Sequence, residues 1–339
     1  MSGRRSRRAI LSGAAGLAAA ALLPQARGAP AARSRVILDN DYSGDPDGLF
    51  QLAHHLLSPS VTIPLIVGSH IHPNDFMDRS TVQAEHAATV AGTLAGLLGV
   101  TPPPILAGRN TAPAPGAPPQ ATPAVTRIIA EARRTDTRPL YYCAGAGLTD
   151  LAEALRIAPE IGRRITLVWI GGMEWGDLLP GVPPRTDPEY NLTIDSAAVE
   201  TVFNASDVTI WQVPRNVYRQ LTIGMAELEA ALAGAGRAGA FLLDALQAVR
   251  GRFPDGLGET YILGDSPLVT LTALQTPYEP DSASSDYVVR PTPKLGPDGR
   301  YLADPRGRPM RVYRAIDTRL TFTDLFAKLR AAARQGAAA

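Results

Sequence analysis

A single cysteine, Cys143, occurs in 339 residues. No intramolecular disulfide can form, and stability must come from the packed core. Excess charge is also missing, since 33 Lys and Arg balance 32 Asp and Glu. Such a chain has no electrostatic footprint for nucleic acid or for an acidic surface. No apolar run is long enough to cross a membrane: residues 13–23 fall short of the roughly 20 that a span requires. No internal repeat is visible. A P-loop is absent, as is a Gly-x-Ser-x-Gly elbow beyond the N-terminal region, so neither an NTPase nor a serine hydrolase is supported.

What is present begins with a basic N-terminus. Ser6-Arg7-Arg8-Ala9-Ile10-Leu11 resembles the twin-arginine export signature. A short Ala-rich apolar stretch follows, and then small residues around Ala29 to Ala31. That order predicts a signal peptide over residues 1–31, a mature domain over 32–335, and a periplasmic or secreted protein.

Short apolar runs at residues 35–38, 61–67, 104–106, 139–142, 165–170 and 208–211 read as strands. Helical patterns lie between and after them at 48–57, 80–98, 124–132, 148–157, 196–204, 225–250 and 323–333. This alternation predicts an α/β fold: one large domain, 45% hydrophobic, with a mostly parallel, Rossmann-like open sheet flanked by helices. Residues 111–123, rich in Pro and Ala, read as an extended loop. Residues 278–309 read as an insertion or hairpin rather than a domain boundary.

The densest signal is Asp39-Asn40-Asp41-Tyr42-Ser43-Gly44-Asp45-Pro46-Asp47, four carboxylates directly after the first strand. Four such groups repel one another unless a positive partner sits among them. An EF-hand loop fails, because Phe50 occupies the position of the bidentate Glu and a strand precedes the run. An aspartyl phosphatase site fits poorly, because Tyr42 would crowd a phosphate. His70-x-His72 looks like a zinc motif of amidohydrolases, yet no histidine follows His86 to complete it.

The run resembles the first-strand motif of the nucleoside hydrolase family (inosine-uridine-preferring type), in its longer variant Asp-x-Asp-x-x-x-Asp-x-Asp-Asp. Further segments resemble that family in the same order. They are Pro104-Ile105-Leu106-Ala107-Gly108, Ala146-Gly147-Leu148-Thr149-Asp150-Leu151-Ala152, Trp169-Ile170-Gly171-Gly172, Glu189-Tyr190-Asn191 with Asp195 behind it, Val213-Pro214 and Asp265-Ser266-Pro267. The resemblance implies hydrolysis of the N-glycosidic bond of ribonucleosides to ribose and free base. It implies a small nucleoside or riboside as partner and a homo-oligomer. It also implies calcium, in preference to magnesium, held by Asp41, Asp45, Asp47, Asp265 and the Gly145 carbonyl. Asp41 would be the catalytic base, while Asp47, His70, Glu189 and Asn191 would bind the sugar. A hard cation among carboxylates suits this chemistry, because it can orient water and chelate vicinal hydroxyls.

Three positions depart from the family pattern. Gly48 stands where the family has a ligating Asp, leaving Asp45 or Asp47 as the substitute. Gly264 stands where a His protonates the departing base. Ser69-His70 replaces a Gly-Asn pair that contacts the sugar, which makes His70 or His72 the candidate replacement acid. Trp175 is the candidate for stacking on a base. A binding protein on the same fold without turnover, or a hydrolase of another glycoside, is the alternative reading.

Overall fold

The computed structural model describes residues 31–179, 181–253, 258–276 and 285–338. Residues 1–30, and with them most of the expected export signal, lie outside this range, as do residues 278–284 of the expected insertion. Two β-branched residues and a leucine, Val36-Ile37-Leu38, form the heart of β1 (Ser34–Asn40), which is buried along its whole length. In chain order β2 (Val61–Gly68), β3 (Ile105–Ala107), β4 (Leu140–Ala144), β5 (Thr166–Ile170) and β6 (Thr209–Val213) follow. β7 (Thr222–Gly224), β8 (Thr260–Ile262), β9 (Ser285–Pro291), β10 (Lys294–Leu295), β11 (Tyr301–Leu302) and β12 (Pro309–Ile316) complete the strands.

Eight of these form one sheet in the order β3-β2-β1-β4-β5-β6-β12-β9, and all neighbours run parallel except β12 and β9. From β1 the chain winds outward to β2 and β3, then returns to the other side of β1 at β4. The direction of winding therefore reverses between β1 and β4, the place where open α/β sheets bind ligands. Asp39 pairs with Ala144 across this seam, so Asp41 and Gly145 emerge together just past the strand ends.

The helices are α1 (Asp47–Leu56), α2 (Gln83–Leu97), α3 (Pro123–Arg133), α4 (Thr149–Ile157), α5 (Tyr190–Ile194), α6 (Ser196–Asn204), α7 (Arg215–Tyr218), α8 (Met225–Ala233), α9 (Gly236–Arg250), α10 (Pro267–Thr270) and α11 (Thr318–Ala338). Strand alternation sends Val36 and Leu38 to one face, with α1, α2 and α9. Ile37 goes to the other face, with α3, α4 and α6. Among the described residues no helix is long and apolar enough to cross a membrane.

One expectation needs correction. The single helix over 225–250 is two helices, broken where Gly236 takes a left-handed φ of 62°. Within the segment expected as an insertion or hairpin, β10 and β11 form a small hairpin, and β9 joins the edge of the main sheet by pairing antiparallel with β12. Asp265 follows β8, which pairs with β7 in a separate antiparallel ribbon and not in the parallel sheet.

Candidate active site

Past the seam between β1 and β4 lies a cleft of about 530 Å³. Asp41, Asp45, Asp47, Gly145, Glu189, Asn191 and Asp265 all line it, brought from four separate parts of the chain. The loop after β1 is tight, with the Gly44 N–H donating to the Asp41 carbonyl at 2.6 Å. It delivers Asp47 to the first turn of α1, where the helix dipole favours a carboxylate.

Asp41 and Asp265 are only 7% and 3% exposed. Burial pushes the Asp41 carboxyl well above the usual range, and the charges of Asp265, Asp45 and Asp75 add to this. Burial likewise raises Asp47, assisted by Asp265, Asp45 and Asp41. Asp265 is raised by burial against the downward pull of a hydrogen bond from Asn40. The charged groups acting on these three are other carboxylates, with no cation among them. Buried like charges without compensation favour a bound cation. The available donors, carboxylate and carbonyl oxygens, are those a hard cation takes. Among the described residues no group of three or more His, Cys, Asp or Glu side chains stands close enough together to hold a metal ion as placed. The expected ligands therefore share one cleft without forming a closed cage.

Asp39 is not in the cleft. It is buried and accepts hydrogen bonds from the Ser69 and Tyr142 hydroxyls. Asp45 is committed at Oδ1, which accepts from the Tyr261 hydroxyl at 2.7 Å and from the Asp47 N–H at 3.2 Å. Glu189 accepts from the N–H groups of Gly172 (2.8 Å) and Leu192 (3.0 Å) and from the Tyr218 hydroxyl (2.8 Å). Those bonds cap α5 and hold the carboxylate at the cleft wall. Both amide hydrogens of Asn191 go to carbonyls, Gly145 at 2.9 Å and Ile170 at 2.8 Å, leaving Oδ1 as its remaining polar atom. Gly145 keeps a second lone pair.

His70 was expected at the sugar, and the structure turns it away. It is buried, its Nε2 sits 3.1 Å from Thr149 Oγ1, and that hydroxyl donates to Asp195 at 2.9 Å. His72 pairs with Thr193 at 3.1 Å and packs edge-on against Tyr190. Neither histidine lines the cleft. Trp175 is also placed elsewhere: its indole donates to Gln212 at 3.0 Å and packs against Tyr301 and Arg290. Gly264 is at the cleft, where an added Cβ would come within 3.2 Å of both Asp47 Oδ2 and the Tyr218 ring.

The sequence reading missed Asn40, Asp75, Tyr218 and Tyr261. Tyr190, noted there only as part of a motif, donates to Asp75 at 2.7 Å across the cleft wall. Apolar groups, including Ile71, Phe76, Phe253 and Ile262, form the rest of the lining. Only Asn40 carried a sequence signal, as a lone amide between aspartates.

No curated protein matches the sequence. Solved structures do match in fold. A purine-preferring ribonucleoside hydrolase from Gardnerella vaginalis superposes with a TM-score of 0.67 at 19% identity, covering 89% of this chain and 99% of its own. An inosine-uridine preferring nucleoside hydrolase from Bacillus anthracis gives 0.63 at 20% identity, covering 88% and 99%. A plant nucleoside hydrolase gives 0.62 at 19%, with the same coverage. The family model for inosine-uridine preferring nucleoside hydrolases matches residues 48–318, beginning directly after the aspartate run. With that match over most of its length, the chain belongs to the inosine-uridine preferring nucleoside hydrolase family, and it is a hydrolase acting on N-glycosyl compounds.

Proposed function

We propose that the protein hydrolyses ribonucleosides with calcium as cofactor, held by Asp41, Asp47, Asp265 and the Gly145 carbonyl. The observation that carries this reading is the buried, mutually repelling carboxylate cluster at the sheet's switch point, open to a nucleoside-sized cleft. Mixed carboxylate and carbonyl oxygens suit calcium's large, flexible shell better than the strict octahedron of magnesium. When bound, the ion would polarise the attacking water and grip the vicinal hydroxyls of the sugar.

The chain's own groups do the rest. Asp41 accepts the proton of the attacking water, in the manner of a carboxylate base in glycoside hydrolysis. A C1–O bond forms, the C1–N bond breaks, and its electron pair leaves with the base. Asp47 accepts from a ring hydroxyl of the ribose. Glu189 and Asn191 Oδ1 orient the 5-hydroxyl side, fixing the sugar for in-line attack. The apolar wall excludes water from the departing base.

Calorimetric calcium titration of purified protein, beside nucleoside hydrolysis, tests this. Asp41→Asn should lose both calcium affinity and turnover. Undiminished affinity in that variant overturns the assignment.

A further inference from the structure

Asn40 ends β1 and is fully buried. Its Nδ2 donates to Asp265 Oδ2 at 2.7 Å and to Gln51 Oε1 at 3.3 Å, and its Oδ1 accepts from the Asp41 N–H at 2.9 Å. The amide sits where two glycines leave room. A Cβ on Gly145 would come within 2.3 Å of Nδ2, and one on Gly48 within 2.9 Å. The missing side chain at position 48 is thus matched by one arriving from position 40.

We propose that Asn40 is a positioning residue, its amide filling the space opened by Gly48 and Gly145 and holding the Asp265 carboxylate toward the cleft. This rests on the reading above that Asp265 belongs to the cation site. A chain of hydrogen bonds fixes which end of the amide faces Asp265. Thr272 donates its hydroxyl proton to the Leu268 carbonyl at 2.6 Å, so it accepts from His55 Nε2 at 2.9 Å. His55 Nδ1 then accepts from Gln51 Nε2, which turns Gln51 Oε1 toward Asn40 as an acceptor. Every link has one allowed direction, and the last is the donation to Asp265. A carboxylate at position 40 could make neither donation and would add a like charge beside Asp41 and Asp265.

Removing such a supporting partner costs roughly 10- to 100-fold in metal affinity or activity. Full-length purified protein carrying Asn40→Ala or the similarly sized Asn40→Leu, neither of which can donate to Asp265, should therefore bind calcium roughly 10- to 100-fold more weakly. With an activated nitrophenyl riboside at saturating calcium, kcat should fall while KM holds, because Asn40 itself does not reach the sugar. Gly48→Ala keeps Asn40 but crowds its amide, and should give the same loss in smaller measure. A cooperative thermal transition checks that each variant is folded, and Gly48→Ala decides the matter where the Asn40 variants are not. Wild-type calcium affinity in these variants, beside lost affinity in Asp265→Asn, overturns the proposal alone. Full affinity in Asp265→Asn overturns the site assignment and this proposal together.

Discussion

The Tyr261 hydroxyl donates a 2.7 Å hydrogen bond to Asp45 Oδ1, tying the β7–β8 ribbon to the loop after β1. The same oxygen caps the Asp47 N–H, so Asp45 acts as a clamp on the rim of the cleft. Asp45→Asn should consequently retain calcium affinity within about threefold, a change of under 1 kcal/mol. Asp47→Asn, measured in the same titration, should lose it. An Asp45 variant as defective as the Asp47 variant would return Asp45 to the ligand set.

Gly264 provides no proton donor, and His70 is turned toward Thr149. Nucleosides whose base must be protonated should react more slowly than nitrophenyl riboside, by on the order of a hundred- to ten-thousand-fold. His70→Ala should leave that ratio unchanged. A ratio that widens in the variant would show that His70 does reach the leaving group.

Tyr218 holds Glu189 by a single hydroxyl, 2.8 Å from Oε1. Tyr218→Phe should raise KM for nucleosides and lower stability by about 1 kcal/mol, the usual worth of one hydrogen bond. Steady-state kinetics and thermal unfolding of the variant check both. An unchanged KM would separate Glu189 from sugar binding.

Asp324 lies on α11, packed against α1. Burial pushes its carboxyl up, but hydrogen bonds from His54 and Lys328 outweigh this and bring it down to about 2 from the ordinary 3.8. A depressed folded-state pKa stabilises above the unfolded value, and that stability is lost as pH falls from about 4 toward 2. The carboxylate is partly solvated, so Asp324→Asn should cost on the order of 1 kcal/mol at neutral pH. The gap in thermal midpoint between variant and wild type should close as pH falls toward 2. A gap independent of pH would assign the effect to packing.

Local chemistry made much of the molecule legible in the sequence. β1 and the run after it are contiguous, so an apolar triplet and its aspartates predict both a strand end and a charged site. Helices such as Ser196–Asn204 are set by apolar spacing and by the cap from Asp195. Other features depend on partners far along the chain. Asp39 belongs to the same aspartate run, yet Ser69 and Tyr142 draw it into the interior. β12 is not among the strands expected from the sequence; it takes shape where Arg311 stacks between Trp211 and Tyr287 and the strand joins β6. Asn40 looked neutral beside charged neighbours, and only folding brings Gly145 and Asp265 against it. Spacing along the chain sets which carboxylates can gather; which of them face the cleft depends on distant partners, because a side chain's direction follows from what fills the space around it.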